Sequence, residues 1–178
     1  IKPHTGFVSI AMGEGLSESI SPETTEAIIA EAEKLLGAPY LWGGMSAKGV
    51  DCSGLVRICH IMNGIHLPRN ASQQVKCGER IEIPLEARDD NEGAAHGDRT
   101  ESLKEDMTRR ISNLQRGDLV FFGTPASDET PIRITHVGIY LGNNRIIHSS
   151  HRVRINSLIP GDPDYYENAH RLVAAIRL

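Results

Sequence analysis

A chain of 178 residues with 39% hydrophobic and 24% charged residues has the length and composition of one globular domain with a real core. Its net charge of −4 leaves no basic footprint, which argues against nucleic acid or an anionic membrane as main partner. The odd set Cys52, Cys59 and Cys77 shows neither paired nor C-x-x-C spacing, so no disulfide framework or zinc site is expected, and no apolar run reaches membrane-spanning length.

In chain order, residues 5–11 read as one short strand, followed by a connection through Gly13, Gly15, Ser17 and Ser19. Residues 1–20 are therefore expected to be a linker or the tail of a preceding module, with the domain proper at 21–178. The first residue is Ile1 rather than Met, as in a trimmed form, so the lack of a visible signal peptide does not decide compartment. Ser21-Pro22-Glu23 is a helix start, Ile28, Ala32, Leu35 and Leu36 recur at helical spacing, and Gly37 is a stop.

Next comes Pro39-Tyr40-Leu41-Trp42-Gly43-Gly44, then Asp51-Cys52-Ser53-Gly54 and an apolar-periodic run ending at Gly64. That order sets Cys52 at the first turn of a helix, with Asp51 or Ser53 as cap. Asn70 caps another short helix running toward Gly78. Residues 85–113 have few apolar anchors and read as a surface insertion with a helical piece at 101–110. From Leu114 the pattern is β, with runs at 118–122, 135–141, 145–149, 153–156 and 172–176 separated by turn residues. Helices followed by an antiparallel meander make the expected fold class α+β.

A thiol at a helix N-terminus sits among unpaired N–H groups at the positive end of the macrodipole, which favours the attacking thiolate and points to Cys52 as a nucleophile. The plainer reading is a small buried apolar residue. A nucleophile needs a base and an orienting group, and of eight histidines two, His136 and His148, lie in well-formed strands joined by a hairpin. A plain two-residue turn at Asn143-Asn144 would put them on opposite faces; a three- or five-residue loop, or a bulge, would set them directly opposite each other. Spacing alone leaves both open, together with ordinary strand histidines bonded to backbone. His60 lies eight residues beyond Cys52, about two helical turns away, and cannot serve it. No P-loop, dinucleotide fingerprint or H-E-x-x-H occurs, so no cofactor and no metal are expected.

Five runs carry a resemblance. They are residues 37–44, Asp51-Cys52-Ser53-Gly54-Leu55, Leu67-Pro68-Arg69, Gln115-Arg116-Gly117-Asp118-Leu119-Val120-Phe121-Phe122, and His136-Val137-Gly138-Ile139-Tyr140-Leu141-Gly142 through Ile147-His148. In this order they resemble the NlpC-type family of bacterial cell-wall cysteine peptidases, over residues 25–178 apart from the insertion. The resemblance implies a papain-like α+β fold with the nucleophile helix packed on an antiparallel sheet. It also implies Cys52 as nucleophile, His136 as base and His148 as orienting group on the same face. Tyr40 matches a Tyr near the oxyanion site, and Trp42, Asp51 and Ser53 match positions lining the substrate groove.

The C-terminal runs Ile155-Asn156-Ser157-Leu158 and Pro163-Asp164-Tyr165 resemble the dipeptidyl-peptidase VI branch. Its members cut the γ-D-glutamyl bond to meso-diaminopimelate or Lys in peptidoglycan stem peptides, and its Asp before the Cys helps hold a free L-Ala amine. Relatives often have Ser or Thr where Ala71 stands, and that branch carries SH3-like modules of which residues 1–12 could be only a tail. The expectation is a monomeric cysteine endopeptidase acting on stem peptides, with the compartment left open between the periplasm or cell envelope, which is favoured, and the cytoplasm. The rival readings are an N-acetylmuramoyl-L-alanine amidase or acyltransferase on the same triad, and a non-catalytic cell-wall-binding domain.

Overall fold

The structure is a computed structural model in which the described residues are 8–9, 20–84 and 96–178. Of the expected strand at 5–11, β1 (Val8–Ser9) is described, and the rest of the N-terminal stretch lies outside the described residues.

Helix α1 (Pro22–Lys34) starts where its cap chemistry directs: Ser21 Oγ accepts the Thr24 N–H at 3.2 Å and Pro22 occupies the first turn. It buries Ile28, Ile29 and Ala32, whereas Leu36, read as part of the apolar stripe, falls beyond the helix and is exposed. A small hairpin, β2 (Met45–Ser46) with β3 (Gly49–Val50), leads into helix α2 (Cys52–Ile61). Strand β4 (Ile65–His66) pairs in parallel with β1. Asn70 caps the single turn α3 (Ala71–Gln74), ahead of β5 (Glu79–Ile81), which has no sequence signal of its own.

Residues 85–95 lie outside the described residues, and from His96 the stretch read as an insertion is one helix, α4 (His96–Arg110). Its end is anchored, with Met107 and Ile111 buried. The β-prone runs become β6 (Leu119–Thr124), β7 (Arg133–Gly142), β8 (Arg145–Ser150), β9 (Arg152–Ser157) and β10 (Leu172–Arg177). With β5 they form one antiparallel sheet in the order β5-β10-β6-β7-β8-β9.

Alternation along the strands splits the core in two. Leu119, Phe121, Val137, Ile139 and Ile147 face α1 and α2, meeting Ile29, Leu55 and Val56. Val120, Phe122, Tyr140 and Ile146 face the other way, against Met107, Ile111, Leu158 and Tyr166. Each fully buried Leu, Ile or Phe contributes about 1.5–3 kcal/mol, so burial on the face that carries Leu55 and Val56, not helix propensity, holds α2 against the sheet.

Candidate active site

The start of α2 is held by Asp51, not Ser53. Asp51 Oδ1 accepts the Gly54 N–H at 2.7 Å, and its Oδ2 accepts the Gly43 N–H at 2.8 Å, tying the Trp42-Gly43-Gly44 loop to the helix. Arg69 grips the same carboxylate with both nitrogens, at 2.9 and 2.5 Å, and also donates to Ser53 Oγ at 3.0 Å. Burial works against ionisation of Asp51, but the Arg69 fork and the two backbone N–H groups hold its carboxyl below the ordinary range. Gly54 is required by close approach: a Cβ there would collide with the Gly44 carbonyl oxygen.

Strands β7 and β8 are joined by the two-residue Asn143-Asn144 turn, both residues having positive φ (48° and 61°). One extra residue on β7 between Tyr140 and Gly142 then shifts the register. The outcome lies between the alternatives read from spacing. His136 and His148 share a face but are not directly opposite: continuing the Ile139↔Ile147 pairing sets His148 beside Gly138, and the imidazoles meet on the diagonal. His136 Nε2 lies 2.8 Å from His148 Nδ1. His148 Nε2 lies 2.9 Å from Asn156 Oδ1, and Asn156 Nδ2 donates to the Asp164 carbonyl at 2.6 Å. Arg145, ion-paired to the Asp164 side chain, fastens the far end.

That line settles the protons. Asn156 spends its N–H on a carbonyl, so its oxygen accepts from His148 Nε2–H. His148 Nδ1 is then an acceptor, His136 Nε2–H is its donor, and neutral His136 keeps Nδ1 free to accept a proton.

The pair of ladders β6–β7 and β7–β8 also makes room for the thiol. The β7–β8 ladder stops at Ile139 and Ile147, and the chain leading into α2 lies at this fork, where Ser149 Oγ donates to the Val50 carbonyl at 2.7 Å. Cys52 is buried, and its sulfur receives the Val137 N–H. Burial pushes the thiol up, the Asp51 charge adds to that, and the N–H groups of Val137 and the helix start oppose it. The depressed thiol pKa expected from the helix position is thus not the resting state: loss of water outweighs the macrodipole.

Both imidazoles are also held neutral. Burial, then His148, then Arg154 bring His136 down to about 3. Burial and Arg154 bring His148 to about 4 against the opposing Asn156 hydrogen bond. The burial is aromatic: Tyr166 stacks edge-on to His148 at 4.6 Å and lies 5.6 Å from His136, and Phe122 lies 5.9 Å from His136.

Tyr40 is half-buried, its phenol pushed up by burial and then by the nearness of Cys52 and Asp51, so it stands at the thiol. Trp42 is 86% exposed on the adjoining loop, and Ser53 is turned inward on Asp51 and Arg69. Cys52, His136, His148, Tyr40, Asp51 and Ser53 therefore converge, with Trp42 on the rim. Sequence reasoning gave no role to Arg69, Asn156 or Tyr166. For Asn156 a signal existed, since His148 lies opposite Arg154 in the β8–β9 register and reaches Asn156 by the same diagonal step that joins it to His136. A cleft of about 360 Å³ at the His60 end of α2 is a separate feature whose charged walls are already paired, Arg116 with Glu26 and Arg177 with Asp118. Among the described residues no group of His, Cys, Asp or Glu is placed to hold a metal, and no helix is long and apolar enough to cross a membrane.

Compared with known proteins, residues 37–170 match the profile of the NlpC/P60 family. The γ-D-glutamyl-L-lysine dipeptidyl-peptidase of Bacillus subtilis is 34% identical over 126 residues, 71% of this chain and 32% of that protein. Dipeptidyl-peptidase 6 of Lysinibacillus sphaericus is 28% identical over 181 residues, covering 97% of this chain and 53% of that protein. A lipoprotein-like NLP/P60 family protein of Staphylococcus aureus superposes with a TM-score of 0.61 at 28% identity, covering 90% of this chain and 43% of that one. The chain spans 29–35% of the length of several curated relatives it matches.

Proposed function

The chain belongs to the NlpC/P60 family, and from that premise we propose that it is a cysteine endopeptidase cutting the γ-D-glutamyl bond to the diamino acid of peptidoglycan stem peptides. The observation that carries this reading is the Asn156–His148–His136 line, which leaves His136 Nδ1 as the free ring nitrogen on the strand whose Val137 N–H meets the Cys52 sulfur. The Cys52 proton passes to His136 as sulfur attacks the γ-carbonyl carbon, and the resulting oxyanion is met by N–H groups at the α2 start and by Tyr40. His136 then protonates the leaving amine, a thioester on Cys52 remains, and water activated by the same imidazole releases the acid. Because thiol and imidazole rest neutral, proton transfer accompanies attack rather than preceding it.

A second reading concerns specificity. Arg69 already neutralises Asp51, so this carboxylate offers little to a free substrate amine, which favours an endopeptidase indifferent to the N-terminus. Mass spectrometry of L-Ala-γ-D-Glu-meso-diaminopimelate, beside the same peptide N-acetylated, tests both. Release of L-Ala-D-Glu from the free peptide only supports the dipeptidyl-peptidase branch, and equal cleavage supports the indifferent endopeptidase. Cleavage of neither removes the peptidase reading for these substrates and leaves the amidase and wall-binding readings.

A further inference from the structure

Arg154 sits on β9 directly across from His148, on the face that carries His136, His148 and Asn156. It is half-buried, and its Nε is buried with no hydrogen-bond partner. Among the described residues no carboxylate pairs with it, although Arg69, Arg116, Arg145 and Arg177 each hold one. An arginine that loses water and gains no counter-charge carries a desolvation cost that the protein itself does not offset. Such a group beside a reacting imidazole is suited to an anion that arrives with the substrate.

We infer that Arg154 is a specificity-determining residue that binds the side-chain carboxylate of the leaving diamino acid, so that the protein prefers meso-diaminopimelate to lysine; this rests on the peptidase reading of the same site. Three arguments select that carboxylate. The leaving amine takes its proton from His136, so the leaving residue lies on the histidine side of the site, where Arg154 stands. The positive charge of Arg154 bears on both imidazoles and not on the thiol, in keeping with that side. Strands are spaced about 4.8 Å apart, which puts β9 about 10 Å from β7 and its His136. That span suits the far end of an extended side chain better than a carboxyl on the carbon next to the scissile nitrogen. In a longer stem peptide that nearer carboxyl is an amide anyway, and only the side-chain carboxylate stays charged. Lysine would instead bring an ammonium toward the guanidinium, an arrangement of like charges. The ammonium of the diaminopimelate end shares its carbon with the carboxylate and can turn to solvent.

Binding isolates this from turnover. Titration calorimetry on the Cys52→Ala protein compares L-Ala-γ-D-Glu-meso-diaminopimelate with L-Ala-γ-D-Glu-L-Lys, which differ only at the side-chain end. The expected result is tighter binding of the diaminopimelate peptide by about tenfold, the scale of one charge-assisted hydrogen bond. Adding Arg154→Gln should bring the two affinities within about twofold, and Arg154→Lys should keep part of the preference. Equal affinities in Cys52→Ala, a preference that survives Arg154→Gln, or no binding of either peptide would overturn the inference. Cleavage by the unmutated protein is scored separately: preferential binding without cleavage would sink the peptidase reading and leave the Arg154 contact standing.

Discussion

His136 Nε2 stands 2.8 Å from His148 Nδ1, and Asn156, one strand further out, decides which ring carries the shared proton. An asparagine whose N–H is committed to a backbone carbonyl can only accept at its oxygen, so the tautomer is propagated inward along three strands. The arrangement uses no charge. A carboxylate in the Asn156 position would have raised the imidazole pKa values, whereas here they remain low and both rings rest neutral.

Asn156→Ala is therefore expected to lower kcat by about 10–100-fold, because His148 is freed to present either tautomer to His136. Asn156→Asp still accepts from Nε2–H and should lose less, while moving the acidic limb of the kcat/KM profile to higher pH. A merely structural role for Asn156 would leave that limb where it was.

Cys52→Ala and His136→Ala should each reduce turnover by about 10³-fold or more while leaving a folded protein by circular dichroism. Alkylation of Cys52 at neutral pH should be slow in the free protein, since the thiol is held above its ordinary range by burial. Retained peptide cleavage in either variant would remove the mechanism.

How far the chain announced this arrangement depends on the kind of signal each part uses. The α1 cap, the Cys52 helix and the five late strands follow from local chemistry: Ser21-Pro22, Asp51 and alternating apolar residues. The meeting of His136 with His148 does not, because one extra residue at the Tyr140–Gly142 bulge changes which side chains share a face, and nothing local in Leu141 marks it. Arg69 escaped because its partner is 18 residues away and paired through tertiary structure. The anchoring of α4 by Met107 and Ile111 was hidden by the charged residues around them. The thiol pKa departs from the helix-position expectation for a different reason: helix position is visible in sequence, whereas burial at the fork of two strands is not.

Acid stability has a defined window. Free imidazoles titrate near 6.5, whereas His60, His136 and His148 are held at about 4, 3 and 4, in each case chiefly by burial. Between those values and 6.5 the unfolded chain binds more protons than the folded one, so stability rises with pH there. The contribution is complete above about 6.5 and is lost as pH falls toward 4. Asp51, whose carboxyl is likewise depressed but from a lower ordinary value, loses its share only at lower pH still. Urea unfolding at pH 7, 5.5 and 4.5 should show a falling midpoint; a flat profile would mean the three rings are not buried neutral.

Gly138 is the position where the hairpin and the chemistry meet. A Cβ there would stand 3.2 Å from His148 Cβ and 3.3 Å from the Ile147 carbonyl oxygen, close enough that His148 must shift by a few tenths of an ångström. Residue 138 sits on a β-strand, where alanine costs little in itself, so Gly138→Ala should destabilise by only about 1 kcal/mol. Displacing His148 misplaces His136 through their shared hydrogen bond, and a small error at a base is expensive in rate. The expected result is a fall in kcat of about tenfold with KM nearly unchanged. If kcat is unaltered while stability falls, the close contact serves packing alone and the diagonal placement of the two rings tolerates more slack than the geometry implies.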